Sequence, residues 1–411
     1  MAVGKIVVLR LLGEILLTGV MFVSPLFLFA QTDALSGALP DPSPPSNNDL
    51  PANPWWKGIA VNGFASLSYT YNTNDPIPPL NQLRVFDFND NEPQLDVAQI
   101  VIQHPVAESG EVGFRVNAIA GSGVPPVTAS YGMFRNSATG VGQHYDLPEF
   151  YLSYIAPLGK GLRFDLGKFA TPLGYEVIGG YDGYNDNFSR GYIFGYGLPF
   201  THTGLKTSYQ FSSKFSGALL FTNGCDAVTR LNGGVTITAE FLAATSRTTN
   251  VTFNFMHGPE KPHNDHDQRS LYEIVVSWKV IPQLMVALDG LYADEDHAAN
   301  DGSDAIWKGL AVYPKYNFTR QFSLAFRAEI FGDDGGSRTG TSQTLHTFTL
   351  TPEYVLPIKI SRLRSEFRHF EGKFVMRGEL RQDFSDHTTF SKGTGFTSRQ
   401  FTTAFNLIYL F

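Results

Sequence analysis

The chain is short of several things that would place it among familiar soluble classes. One cysteine, Cys225, in 411 residues excludes an intramolecular disulfide and any cysteine-rich metal cluster. Charged residues are 17%, against roughly a quarter in soluble domains. Acids and bases are scattered over a net charge of −7, with no Lys/Arg run to give a nucleic acid its footing. Beyond residue 30 no apolar stretch approaches the roughly 20 residues that a membrane helix needs. The patterns G-x-S-x-G, H-E-x-x-H, G-x-x-x-x-G-K-S/T and G-x-G-x-x-G do not occur, so the common hydrolase, metalloprotease and nucleotide-binding signatures are missing.

What is abundant is aromatic residues, at 14%, and glycine, 40 residues. Few charges and many aromatics suit a surface that faces lipid between aromatic girdles, and composition alone fits an aromatic-rich soluble β protein equally well. Residues 1–30 read as a secretory signal: Lys5 and Arg10 open it, and 11–30 is mostly apolar up to Ala30. Glu14 and Leu28 are unusual in such a leader, and an uncleaved anchor is the alternative. Residues 31–54 hold Pro40, Pro42, Pro44, Pro45, Pro51 and Pro54 among Ser, Asn and Asp, a composition that builds a tether and no core. The folded part, 55–411, opens on Trp55-Trp56, residues suited to a membrane interface.

From there one theme repeats: about ten residues of alternating polarity, a short turn, another such stretch, then a longer polar loop. Sixteen strands are expected, near 57–73, 94–104, 110–121, 147–157, 161–170, 201–212, 214–224, 232–244, 248–258, 269–280, 283–294, 305–317, 320–332, 343–355, 372–384 and 398–411. Joins from odd to even strands are long and polar, those from even to odd short, with 356–371 the exception. Outer-membrane barrels sort their loops this way; soluble sandwiches generally do not. The last strand puts Phe401, Thr403, Phe405, Leu407, Tyr409 and Phe411 on one face, and such an aromatic terminus resembles the closing strand read by the outer-membrane assembly machinery. The expected fold is therefore all-β, a transmembrane antiparallel barrel of about sixteen strands.

If the apolar face of each strand meets lipid, the opposite face carries Arg115, Glu149, Arg163, Asp165, Lys206, Glu240, Glu273, Asp289, Arg327, Glu329, Glu353, Arg377, Glu379 and Arg381 into the lumen. An Arg or Lys facing mid-membrane lipid costs about 2–4 kcal/mol, so this parity argues for a wet interior; any single residue could instead be a buried ion pair. The loop 171–200 is too long for a hairpin and brings Glu176, Asp182, Asp186 and Arg190 among many Tyr, Phe and Gly. Folded inward, it would constrict the lumen, its acids facing Arg115, Arg163 and Lys206 across a transverse field. Lys168 sits on the lipid parity of its strand; either it lies at the rim or the strand bulges there, and the rim is expected. The loop residues His257, His263, Asp265, His266 and Asp267 lack regular metal spacing, as 87–92 lacks the pattern of a calcium loop; both read as solvated loops, with no metal site and no cofactor expected.

The run Leu166-Gly167-Lys168-Phe169-Ala170-Thr171-Pro172-Leu173-Gly174-Tyr175-Glu176 resembles the OmpL-like group of outer-membrane porins. So do Trp55-Trp56-Lys57-Gly58, Phe194-Gly195-Tyr196-Gly197-Leu198-Pro199-Phe200-Thr201-His202-Thr203-Gly204, Leu350-Thr351-Pro352-Glu353-Tyr354 and Tyr409-Leu410-Phe411. The resemblance covers nearly the whole mature chain, with 358–371 standing as an insertion against that pattern. It implies a passive channel of a Gram-negative-type outer membrane and names no solute. The expected partners are membrane lipid, small hydrophilic solutes or ions, and the assembly machinery through Tyr409 and Phe411. Homotrimerisation is compatible with a sixteen-strand porin, although the sequence does not show it. An outer-membrane barrel enzyme of the lipid-hydrolase type is the alternative, because such enzymes place their catalytic groups on separate strands; a structural or adhesive barrel is another.

Overall fold

A computed structural model describes residues 58–125, 131–136, 139–356 and 372–411. The expected signal segment, the tether, Trp55-Trp56 and 358–371 lie outside the described residues. Eighteen strands follow in order. The first nine are β1 (Ala60–Asn72), β2 (Glu92–His104), β3 (Val112–Ala120), β4 (Tyr145–Ala156), β5 (Leu162–Ala170), β6 (Thr201–Gln210), β7 (Phe215–Cys225), β8 (Thr236–Ala244) and β9 (Thr249–Gly258). The rest are β10 (Arg269–Ile281), β11 (Leu284–Glu295), β12 (Ala305–Asn317), β13 (Phe322–Asp334), β14 (Gln343–Leu356), β15 (Lys373–Ser385), β16 (Phe390–Lys392), β17 (Gly395–Thr397) and β18 (Arg399–Leu410).

Sixteen of these close one antiparallel barrel, in which each strand pairs with its sequence neighbours and β18 pairs with β1. The small hairpin β16–β17 stands apart, inside the join from β15 to β18. No helix among the described residues is long and apolar enough to cross a membrane. Closing the barrel removes the edges of that sheet, so none of its sixteen strands leaves a ladder unpaired. At the seam Gly63 and Phe411 exchange backbone hydrogen bonds, at 2.8 and 3.1 Å. A Cβ at Gly63 would stand 2.2 Å from the Phe411 ring, so a side chain there would push that ring from its place across the seam.

Alternation places the side chains. In β1, Leu67, Tyr69 and Tyr71 are exposed while Ser66, Ser68 and Thr70 are buried. In β11, Leu288 points out and Asp289 in. The barrel's second half departs from simple apolar-out, polar-in patterning. Met256, Leu271, Ala287, Leu291, Ala293, Trp307, Ala311, Tyr313, Phe331 and Leu345, from β9 to β14, form a buried cluster with Leu173, Tyr192, Ile193 and Leu198 of the loop 171–200. Apolar groups thus occupy both faces of that wall. Gly309 of β12 makes the fit possible, since a Cβ there would sit 2.5 Å from Ile193.

Lys168 lies two residues from the long-loop end of β5, at the rim, yet it is not solvated. It is buried, with Nζ 2.9 Å from Asp146 Oδ2. The preceding Gly167 has φ +143° and pairs with Gly204 at φ +159°, and a register shift between Asn117 and Ile119 marks a bulge in the β3–β4 ladder near Asp146. These irregularities re-aim side chains at a strand end.

Candidate functional site

The loop 171–200 turns into the barrel. Its last part forms a helical turn, Ile193–Gly197, and the rest is irregular, so its backbone donors and acceptors need partners from elsewhere. The wall supplies them with charged side chains. Glu329 of β13 accepts from Tyr192 N and Ile193 N, at 2.8 and 2.5 Å. Glu379 of β15 accepts from Phe188 N and Ser189 N, at 2.6 and 3.0 Å. Glu273 of β10 accepts from Gly174 N at 3.0 Å, and Asp289 of β11 from Tyr175 N at 3.2 Å. The arginines serve the carbonyls. Arg327 donates to Ser189 O at 2.6 Å, Arg377 to Asn185 O at 2.5 Å, and Arg381 to Arg190 O at 2.6 Å. Trp307 Nε1 reaches Gly197 O at 3.0 Å, and Arg338 reaches Tyr196 O at 2.6 Å.

This changes the part played by five of the fourteen residues expected to face the lumen. Arg327, Glu329, Arg377, Glu379 and Arg381 do point inward, but each is at most 5% exposed, because the loop covers them. Strand parity says which face turns inward; it does not say whether water or polypeptide fills the inside. Glu176 and Arg190 are likewise held within the loop's seat. Glu176 pairs with Arg327 at 2.6 Å and accepts from Gly191 N. Arg190 donates to Phe188 O at 2.7 Å and to Ile178 O, its guanidinium over the Phe86 ring.

The open space lies on the other side of the loop. A cavity of about 550 Å³ is lined by Arg115, Glu149, Tyr151, Asp182, Asp186 and Tyr313, among others. Arg115 of β3 is bracketed by carboxylates: Nε is 2.7 Å from Glu149 Oε2, and Nη2 pairs with Asp182 of the loop, whose side chain is 54% exposed. Asp186 pairs with Lys315 of β12 at 2.7 Å. The expected facing of loop acids toward Arg115, Arg163 and Lys206 therefore holds at Arg115 alone. Arg163 and Lys206 turn to their own wall, where both approach Asp165, at 2.9 and 3.5 Å. Glu176 and Asp186 find Arg327 and Lys315 instead, because the loop runs along β10–β15.

Lys315 is missing from the inward residues read off the sequence, although it shares the parity of Trp307, Ala311 and Tyr313, which would have placed it. Arg84 had no comparable signal. It comes from the loop 73–91 and is buried against Asp87, Asp383 at 2.8 Å and Thr402 at 2.9 Å. The loop's C-terminal end is fixed by Asp226, which accepts from Phe200 N and Thr201 N at 3.0 and 2.8 Å. Burial pushes this carboxyl up to about 6 although those donors pull it down. In the loop 259–268, Asp267 is taken by Lys261 at 2.7 Å and His297 at 3.0 Å, and no grouping of three metal-ligating side chains occurs among the described residues.

No curated protein matches the chain. Solved structures match its fold. The outer membrane channel DcaP of Acinetobacter baumannii is 10% identical with a TM-score of 0.55, covering 86% of this chain and 97% of that one. The anion-selective porin from Comamonas acidovorans is 8% identical with a TM-score of 0.55, covering 86% and 99%. OmpT of Vibrio cholerae, in its trimer form, is 12% identical with a TM-score of 0.53, covering 86% and 99%. At such identities the likeness is one of fold. The family model described as "Putative beta-barrel porin-2, OmpL-like" matches residues 58–411, the whole barrel, and the chain belongs to that family.

Proposed function

We propose that the protein is a passive diffusion channel of a Gram-negative-type outer membrane, passing small hydrophilic solutes or ions between the loop 171–200 and the wall around β2–β5. One observation carries this reading. The loop is seated by its backbone on one half of the barrel and leaves a charged cavity on the other, with Arg115, Glu149, Asp182 and Asp186 at its margin. A sixteen-strand barrel encloses more space than inward side chains can fill, and rings of charge at a constriction decide which ions enter. The membership of a porin family supports the same reading. Membrane lipid faces the apolar outer belt, and the terminal Tyr409 and Phe411 serve recognition by the assembly machinery.

The test is the purified, heat-modifiable barrel in a planar bilayer. Stepwise conductance is the expected result. A folded barrel that inserts and passes no current would overturn the proposal and leave a structural, adhesive or enzymatic barrel in its place.

A further inference from the structure

Along most of the loop's seat, acids and bases alternate, so that Glu176 has Arg327 and Asp186 has Lys315. The corner formed by β10 and β11 is different. Glu273 and Asp289 are each 1% exposed. They stand on paired strands, Glu273 opposite Leu291 and Asp289 opposite Val275, which makes them diagonal neighbours on the inward face, a spacing that long side chains span. One oxygen of each is engaged. Glu273 Oε2 accepts from Gly174 N at 3.0 Å and Asn254 Nδ2 at 2.7 Å, and Asp289 Oδ2 accepts from Tyr175 N at 3.2 Å. The other two, Glu273 Oε1 and Asp289 Oδ1, are buried without any donor, as is the hydroxyl of Tyr313 on β12.

The charged groups that face this corner do not supply a counter-charge. From β8 comes Glu240, from the loop Glu176, and from β13 Glu329. The nearby bases are committed: Arg327 to Glu176, and Lys206 to Asp165 with Glu240 within its influence. Two carboxylates can only accept. Side by side in a dry site they repel, and a bond between them requires that one carry the hydrogen.

We propose that Glu273 and Asp289 share one proton, and that this carboxyl pair is a proton-operated fastening for the start of the constriction loop. The O–H of one acid donates to the orphaned oxygen of the other, leaving Oε2 and Oδ2 aimed at the consecutive amides of Gly174 and Tyr175. As the pH rises the proton leaves to solvent through the adjoining cavity, both groups ionise, and their repulsion parts the two acceptors. Residues 172–177 then lose their seat beside Tyr313, and the passage changes width. The structural claim stands apart from the diffusion-channel reading, which supplies only one of its readouts.

Two measurements on the full-length barrel test it. Infrared difference spectra should show a buried protonated carboxyl at neutral pH that is lost in both Glu273→Gln and Asp289→Asn. Planar-bilayer records should show a change in unit conductance as the pH becomes alkaline, lost in Glu273→Gln, whose amide supplies a permanent N–H, and in Asp289→Asn. Absence of the carboxyl band from the wild type, or an alkaline conductance change that survives in both variants, would overturn the proposal. A barrel that shows the band and conducts at no pH would support the shared proton while refuting the channel.

Discussion

Replacing Arg327 by methionine tests whether the inner wall holds the loop by charge. Met fills most of the volume of the Arg stem but makes none of its bonds. Lost are the 2.6 Å contact with Glu176 Oε1, the 2.6 Å bond to Ser189 O and the 3.0 Å bond to Thr349 Oγ1. The pair is 0% and 2% exposed, so the carboxylate of Glu176 stays behind as a buried charge. Removing one partner of such a pair costs about 3–5 kcal/mol, more than two powers of ten in the folding equilibrium. The double variant Arg327→Met with Glu176→Gln should recover most of this. Glutamine still offers an oxygen to Gly191 N and carries no charge, which leaves a deficit of about 1–2 kcal/mol from ordinary hydrogen bonds. Reversible urea unfolding of the detergent-folded or liposome-folded barrel reads both values. A single variant within about 1 kcal/mol of wild type, on the scale of a neutral hydrogen bond, would refute the reasoning; so would a double variant no more stable than the single one.

Deleting residues 179–187 takes away the loop tip that carries Asp182 and Asp186 and should raise single-channel conductance; an unchanged conductance would deny the loop its constricting part. Asp182→Ala leaves Arg115 with Glu149 as its remaining paired carboxylate and should shift ion preference toward anions, read as a change in reversal potential across a salt gradient. Leu288→Arg places a charge on the outer face of β11, where Leu288 is 43% exposed, and should cost about 2–4 kcal/mol at mid-membrane depth, measured by the same unfolding assay. Asp226, raised to about 6 in the fold, binds its proton more tightly folded than unfolded. Its contribution to stability is therefore complete below the unfolded value near 4 and is lost as the pH rises through about 6. Stability should fall by at most about 3 kcal/mol across that window, from roughly two pKa units at 1.36 kcal/mol each, and Asp226→Asn should flatten the profile.

The sixteen staves were readable because alternation and turn chemistry are local. The expected 305–317 coincides with β12, and most other strands agree to within a few residues. The sorting of long and short joins was readable for the same reason. Polarity also told which charges point inward, Arg115 and Glu379 alike. It could not tell that Arg115 borders open space and Glu379 is sealed, since that depends on where a thirty-residue excursion comes to rest. A hint was present in Trp307, Ala311, Tyr313 and Phe331, apolar side chains on the inward parity of β12 and β13. A lumen filled by water alone would not favour them. The pairing of Glu176 with Arg327, 151 residues away, follows from that seat and from nothing local.

The wall grips the loop 171–200 chiefly by its main chain. Glu329 and Glu379 hold amides, and Arg327, Arg377 and Arg381 hold carbonyls, whatever side chains those residues carry. The loop's position is thereby assigned chiefly to atoms that its own side chains do not supply. Exchanging the side chains at 182 and 186 would reset the polarity of the passage while the backbone stayed in its seat. In a channel of the kind proposed, single substitutions at the loop tip would retune what is admitted without any redesign of the barrel.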